Sequence, residues 1–109
     1  MPTMDFCRVK YHEHFQSNLV SIHSDKEFEF LYYYFIPAWI GGFKTNSIWS
    51  WTDETQWDYD NWQEDQPSGN GDCLLIGDNP RKFNDYPCRS EFSYICKISF
   101  NSTGKRTEV

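Results

Sequence analysis

The chain has 109 residues, a formal net charge of −6 and an aromatic content of 19%. This length gives one domain with one core, and the excess of acids argues against nucleic acid or an anionic membrane as a partner, because both attract basic surfaces. No apolar run approaches the length of a membrane span, which argues against insertion into a bilayer.

The first predicted element is a helix over residues 5–16, where Phe6, Val9 and Phe15 lie near helical spacing. The alternation of apolar and polar residues over 19–22 then predicts a short strand. The chain is therefore expected to begin with a helix that leads into a strand.

A second helix is the clearest element of the sequence. Ser24 and Glu27 form a capping box, in which serine stands at the N-cap and glutamate three residues later. Apolar residues then recur at helical spacing, and these are Phe28, Leu31, Tyr32 and Phe35. Pro37 cannot continue a helix, so we expect this helix to end before it.

After residue 37 the helical period disappears. Short strand-like runs, separated by turn-forming residues, cover 38–42, 48–51, 73–77 and 93–99. A loop over residues 52–72 separates the second run from the third, and a loop of that length in a small domain is usually functional. We predict one domain over residues 1–100, followed by a polar tail over 101–109.

Four cysteines indicate the compartment of the protein. They are Cys7, Cys73, Cys88 and Cys96. They include no Cys-x-x-Cys pair, and no histidine stands at zinc-finger spacing. Two disulfides in an oxidising compartment are the better interpretation, with three connectivities open on spacing alone. The sequence begins without a signal peptide, so we expect a fragment or truncated product of a secreted, extracellular protein.

Side-chain oxygens are concentrated between Gln66 and Asp72 and in the pair Asn84–Asp85. Calcium takes hard oxygens of this kind, and the proline and glycines among them supply sharp turns. The segment predicts a site for a cation or a polar ligand.

Eight short motifs stand in order along the chain. They are Leu19–Ser24, Trp39–Gly42, Trp49–Asp53, Tyr59–Trp62, Gln66–Ser68, Asp72–Cys73, Asn84–Asp85 and Tyr94–Cys96. This set resembles the C-type lectin-like domain over about residues 5–99. The resemblance implies an α+β fold with two helices, two small antiparallel sheets and a long ligand-binding loop. It also implies an extracellular recognition module, for which we predict weak calcium-dependent binding of a glycan or glycoprotein through the long loop. The alternative is calcium-independent recognition of a protein on the same fold.

The resemblance implies two disulfides, Cys73–Cys88 and Cys7–Cys96. Family members have a first strand before the first helix, which this sequence lacks, and Cys7 stands five residues before His12, which occupies the family's cysteine position. Either the first helix carries an insertion and Cys7 still reaches Cys96, which we favour, or the bond is strained or absent. The resemblance also makes Trp-Ile-Gly at 39–41 a core strand, and its glycine fits close backbone packing.

Sugar-binding members of the family hold calcium through two residues flanking a proline, a downstream glutamate and an Asn-Asp pair. By correspondence, the predicted carbohydrate site is Gln66, Ser68, Asn84 and Asp85, and the predicted calcium ligands are Gln66, Asn84, Asp85 and Asp72. Ser68 stands where asparagine or aspartate belongs, and Gly71 stands at the glutamate position without a side chain. We expect calcium affinity at or below about 10⁻³ M. In the competing interpretation, these residues only hold the loop by hydrogen bonds to backbone.

Other residues are weaker candidates for a functional role. His12 and His14 are interpreted as solvated surface, because residues at i and i+2 do not face each other on a helix, and His23 as a hydrogen-bonding residue at a strand end. Trp57 is a candidate for an exposed sugar contact. Asn101 begins an N-glycosylation sequon in the tail. The acids of the loop show no sign of a catalytic pair, so no enzyme is predicted.

Overall fold

Two β-sheets and one short helix form the part of the chain described by this computed structural model, which is Cys7 and residues 15–31, 36–78 and 80–100. In chain order the elements are β1 (Phe15–Leu19), α1 (Asp25–Phe30), β2 (Ala38–Thr45), β3 (Ile48–Trp51), β4 (Cys73–Ile76), β5 (Phe83–Tyr86), β6 (Ser93–Tyr94) and β7 (Cys96–Phe100). One sheet has the order β3-β2-β4-β5 with β6 beside β2, and β1 and β7 form the other. Over these residues no helix has both the length and the apolar character that crossing a membrane requires. The α+β fold class is confirmed.

The first strand lies where the sequence predicts the end of a helix. Phe15 and Gln16 belong to β1, which pairs along its whole length with β7, so the helix predicted over residues 5–16 is wrong at its carboxyl end. The strand predicted over 19–22 is also displaced, because β1 ends at the first of these residues. Strand pairing overrides the local helical spacing here. Of the remaining positions of that helix, only Cys7 is described, and it lies in a turn.

The helix that the capping box predicts is present as α1. The Ser24 Oγ accepts a hydrogen bond from the Glu27 N–H over 3.2 Å, and the Glu27 carboxylate accepts one from the backbone N–H just before the cap over 2.7 Å. Phe28 and Leu31 are buried against the core. The predicted continuation through residues 32–35 lies outside the described residues, so one of the two predicted helices is described, and only in part.

The predicted strand over residues 93–99 is interrupted at Ile95, which separates β6 from β7. Its N–H donates to the Trp39 carbonyl over 3.1 Å, and its carbonyl accepts from the Val20 N–H over 2.9 Å. Because each residue carries one backbone donor and one acceptor, Ile95 joins the five-stranded sheet to the segment that follows β1. The chain therefore passes from one sheet to the other at a single buried residue.

The central strands follow the prediction, and one strand does not. β2, β3 and β4 confirm the runs predicted at 38–42, 48–51 and 73–77. β5 was not predicted as a strand, because asparagine and aspartate are depleted in strands. It pairs antiparallel with β4, with Leu75 opposite Asn84 and Leu74 opposite Asp85. The predicted ligand pair thus lies within a sheet.

The core consists of two groups of buried side chains, one that includes Phe28 and Leu31 at α1 and one that includes Leu19, Trp39 and Leu75. The largest fully buried side chains are Trp39, Trp51, Phe83, Leu19, Ile22, Leu31, Ile40, Leu74 and Ile76. A Cβ added at Gly41 would lie 2.8 Å from the carbonyl oxygen of Leu19. The absence of a side chain therefore lets β2 pack directly against the end of β1, as the sequence predicts.

Two disulfides tie the fold together. Cys7–Cys96 joins residues 89 positions apart and Cys73–Cys88 joins residues 15 apart. These are the pairings that the resemblance implied. The first holds the chain before β1 against β7, and the second links β4 to the turn after β5.

Candidate functional site

Two tryptophans of the long loop, residues 52–72, belong to an aromatic cluster. The cluster consists of Trp49, Trp51, Trp57, Trp62 and Phe83. Trp57 stacks on Trp51 with ring centroids 4.5 Å apart, and Trp62 lies edge-on to Phe83 at 5.8 Å. Trp57, the candidate for an exposed sugar contact, is half-buried in this cluster. The ring contacts and the burial of these large apolar surfaces fix the path of the loop.

The predicted site residues Gln66, Ser68 and Asp85 come together where the long loop meets β5. Asp85 is 2% exposed. Its Oδ1 accepts from the Ser68 N–H over 2.8 Å and from the Ser68 Oγ over 2.9 Å, and its Oδ2 accepts from the Gly69 N–H over 2.7 Å. The Asp85 N–H in turn donates to Gln66 Oε1 over 3.3 Å. Both carboxylate oxygens therefore hold the loop.

These contacts keep the Asp85 carboxylate charged. Burial by itself would raise the pKa of Asp85, but hydrogen bonds from Ser68, Gly69 and Gly71 hold it below its usual value. A carboxylate that accepts several backbone N–H groups is stabilised in its ionised form. Asp85 thus gives the loop a fixed negative charge without exposing it.

The remaining predicted ligands, Asn84 and Asp72, point to other partners. Successive side chains of a strand lie on opposite faces, and the Asn84 amide donates to the Lys82 carbonyl over 3.1 Å rather than joining Asp85. Asp72 is exposed and lies 3.8 Å from the Lys44 ammonium. The structure therefore gathers Gln66, Ser68 and Asp85 into one cluster and leaves Asn84 and Asp72 outside it.

Gly71 is closed in by the neighbouring strand. A Cβ added there would lie 2.0 Å from the Tyr86 carbonyl carbon and 2.3 Å from the Pro87 nitrogen. Such distances leave no room for any side chain unless the backbone moves. The position that carries a glutamate in the family pattern therefore cannot hold one in this arrangement.

This donor set does not fit calcium as it stands. Calcium takes about six to eight oxygens, whereas the carboxylate of Asp85 is occupied by loop donors and Gly71 contributes none. In the described part of the chain, no three His, Cys, Asp or Glu side chains come together to hold a metal. The calcium ligands and the carbohydrate site stay predictions, and binding there requires the loop to rearrange.

A second polar cluster lies where the long loop begins. Its members, which we call the His23 cluster, are Ser21, His23, Asp53, Thr55, Asp58 and Lys97. His23 Nδ1 lies 2.7 Å from Asp58 Oδ1. Its Nε2 lies 3.1 Å from Ser21 Oγ and 3.0 Å from Thr55 Oγ1. The imidazole thus bridges the segment after β1 and the first part of the loop.

Asp53 accepts hydrogen bonds from both hydroxyl groups of the His23 cluster. Ser21 Oγ donates to Asp53 Oδ2 over 2.6 Å, and Thr55 Oγ1 donates to Asp53 Oδ1 over 2.5 Å. Burial would raise the pKa of Asp53, but these hydrogen bonds and the Lys97 charge hold it below its usual value. The sequence prediction for His23 foresaw hydrogen bonding but not this cluster, because the partners stand 32 and 35 positions away.

A cavity of about 500 Å³ lies between α1 and the start of β7. Core residues such as Ile22 and Leu31 line it, with Phe30 and Lys26 also among its lining residues. It contains none of the predicted calcium or carbohydrate ligands. The predicted candidates Asn101, His12 and His14 lie outside the described residues.

Comparison with known proteins adds three findings. A family model described as the lectin C-type domain matches residues 4–98. A C-type lectin of Micrurus corallinus is 35% identical over 97 residues, which are 76% of this chain and 61% of the relative. The chain spans 47% to 61% of the length of the first curated relatives it matches.

Two solved structures share the fold. A calcium-independent type II antifreeze protein is 29% identical with a TM-score of 0.70, over 77% of this chain and 68% of that one. The carbohydrate-recognition domain of cow CD23, solved in the presence of a GlcNAc2Man3 oligosaccharide, is 31% identical with a TM-score of 0.67, over 77% of this chain and 70% of that one.

Proposed function

Because this chain belongs to the C-type lectin domain family, we propose that it is an extracellular, non-enzymatic recognition module whose long loop binds a protein ligand without calcium. The single observation that carries this proposal is the position of Asp85. A calcium ion would need that carboxylate as a ligand, and here Ser68 and Gly69 take both of its oxygens.

The loop already has the support that a bound ion could give it. A cation would hold its ligands together by charge, and the buried Asp85 carboxylate achieves the same by accepting hydrogen bonds from Ser68, Gly69 and Gly71. Ring contacts within the aromatic cluster hold the part of the loop that contains Trp57 and Trp62. A loop held in this way is preorganised for binding, since it loses less conformational entropy when a ligand arrives.

Two further observations support the proposal. One structural relative is itself described as calcium-independent, so the fold exists without the ion. The two disulfides are typical of proteins from oxidising compartments such as the extracellular space.

Weak calcium-dependent sugar binding is the second candidate function. It is favoured by the closeness of Gln66 Oε1, Ser68 Oγ and the Asp85 carboxylate, whose oxygens would form part of a calcium site if the loop donors turned away. The solved CD23 domain was crystallised with an oligosaccharide, and asialoglycoprotein receptor 2 of Homo sapiens is 30% identical over 108 residues. The two candidates make opposite predictions about calcium.

Calcium titration separates them. We expect no change in Tm or in tryptophan fluorescence up to about 10 mM calcium chloride, roughly tenfold above the weak extracellular range. We also expect no calcium-dependent signal on a glycan array. A shift that disappears in the Asn84→Ala/Asp85→Ala double variant would overturn the proposal in favour of the sugar site.

Protein recognition needs a positive test of its own. A panel of purified extracellular proteins would be screened in EDTA buffer, and any hit titrated against loop variants. We expect Asp60→Ala/Glu64→Ala, which changes two exposed positions of the long loop, to weaken binding at least tenfold. Glu91→Ala, an exposed acid outside the loop, is the matched control and should bind normally. Equal loss in both variants would contradict a loop-centred surface.

A further inference from the structure

We propose that the His23 cluster is a pH-dependent latch, which holds residues 53–58 of the long loop more tightly when both ring nitrogens of His23 carry a proton. This regulation rests on the proposed function, because the same loop is there the recognition surface. The latch consists of contacts between the segment after β1 and the first part of the loop, and each contact has a defined donor and acceptor.

The Nδ1 side of the imidazole requires a proton. Its partner is Asp58 Oδ1 at 2.7 Å, and an ionised carboxylate can only accept hydrogen bonds. His23 must therefore donate from Nδ1, which fixes one of its two ring protons.

The Nε2 side requires a proton as well. It faces Ser21 Oγ and Thr55 Oγ1, and each of these hydroxyls already donates its only proton to Asp53. A hydroxyl whose proton is committed can only accept from a second partner. The hydrogen bonds of the cluster are thus all satisfied only by the imidazolium form.

Loss of one proton breaks this set. With Nδ1–H kept for Asp58, the bare Nε2 faces two oxygen atoms without a proton between them. Either His23 moves away or one hydroxyl turns from Asp53 to the ring, and in both cases the loop loses an anchoring hydrogen bond. The latch is therefore closed while the ring carries both protons, and it loosens as pH rises and one of them is lost.

Other charged groups also lie close to His23. Hydrogen bonds hold the pKa of Asp53 below its usual value, so it stays ionised. Lys97 Nζ donates to Ser21 Oγ over 3.2 Å, and the Glu27 carboxylate accepts from the His23 backbone N–H rather than from the ring. Asp58 is the charged group that contacts the ring directly.

Hydrogen exchange tests the latch without any ligand. The amides of residues 53–58 include the Thr55 N–H, which donates to Asp53 Oδ1 over 3.0 Å. After correction for the intrinsic pH dependence of exchange, we expect about fivefold more protection at pH 5.5 than at pH 8, equivalent to about one net hydrogen bond. His23→Gln should remove this difference, because glutamine does not titrate, whereas the control Glu29→Gln, at an exposed position of α1, should keep it.

Two results would overturn the latch: equal protection of residues 53–58 at both pH values in the wild type, or an unchanged pH difference in His23→Gln. If that variant does not fold, Asp58→Asn serves instead, because it leaves the ring in place but removes its charged partner, and should shrink the difference. Since no ligand is added, failure of the latch leaves the proposed recognition function untouched. Conversely, failure to find a protein ligand leaves the exchange result standing.

Discussion

Asp85 is the single residue on which the shape of the long loop depends most. It is buried, yet it is held in its charged form by donors from Ser68 and Gly69. The position that the resemblance assigns to a calcium ligand therefore accepts hydrogen bonds from the loop in this structure.

Replacing Asp85 by asparagine should destabilise the protein. The amide nitrogen would face loop donors, and hydrogen bonds to a charged acceptor would be lost, so we expect the free energy of unfolding to fall by about 2 kcal/mol in urea denaturation. Because the folded-state pKa of Asp85 is lowered, its stabilisation is present above about pH 4, the usual value for aspartate, and is lost as pH falls further. Asp85→Asn should therefore have a flatter acid-side stability profile. Asp78→Asn, at an exposed site, should leave that profile unchanged, and a steep profile retained in Asp85→Asn would contradict this role.

Restoring the family's glutamate at Gly71 should not restore calcium binding. The side chain would collide with the backbone at Tyr86, so we expect Gly71→Glu to lose about 3 kcal/mol of stability and to show no rise in Tm on adding calcium. Asn70→Ala, at the exposed neighbouring position, should change stability by less than about 0.5 kcal/mol. A stable Gly71→Glu variant whose Tm rises with calcium would show that the backbone adapts.

At the scale of elements, α1 depends on its first turn. It has six residues, too few for a stable isolated helix, so its cap and its two buried apolar contacts matter. Ser24→Ala removes the acceptor for the Glu27 N–H and should lower the free energy of unfolding by about 1 kcal/mol. Lys26→Ala, at an exposed position of the same turn, is the control for helix propensity. Equal losses in the two variants would mean that the cap contributes nothing.

The elements that the sequence predicts are those with strong local signals. The capping box locates α1, and apolar runs between turn residues locate β2, β3 and β4. β5 escapes prediction because asparagine and aspartate are depleted in strands, and β1 because its strand conformation comes from pairing with β7, which is distant in sequence. The local spacing of apolar residues does not indicate such a distant pairing partner.

The candidate site could also be predicted only in part from the sequence. The family pattern indicates which residues surround the loop, and three of them, Gln66, Ser68 and Asp85, do meet. The pattern left open whether the Asp85 oxygens face an ion or the loop, since that depends on the three-dimensional path of the backbone, and the structure shows the backbone hydrogen bonds of the competing interpretation. The His23 cluster escaped for a related reason, because its members come from three separate segments.

For the whole molecule, the two disulfides should contribute unequally. In the chain-entropy model a cross-link stabilises by restricting the unfolded chain, and more so for a longer closed loop. Cys7–Cys96 closes 89 residues and Cys73–Cys88 closes 15. We therefore expect Cys7→Ala/Cys96→Ala to lose about 4.5 kcal/mol and Cys73→Ala/Cys88→Ala about 3 kcal/mol in urea denaturation. A reversed order would indicate that local packing, rather than chain entropy, dominates.

The Cys7–Cys96 bond also has a mechanical consequence. A pulling force applied to the chain outside these two cysteines is transmitted from Cys7 to Cys96 through the covalent bond, and the 89 residue positions that it spans carry no tension. Among the described residues, those of β7 after Cys96, which pair with β1, would separate from their partners under load. The long loop, the aromatic cluster and the His23 cluster, apart from Lys97, lie within the shielded portion, so the proposed recognition surface should keep its shape while the chain on either side is under strain.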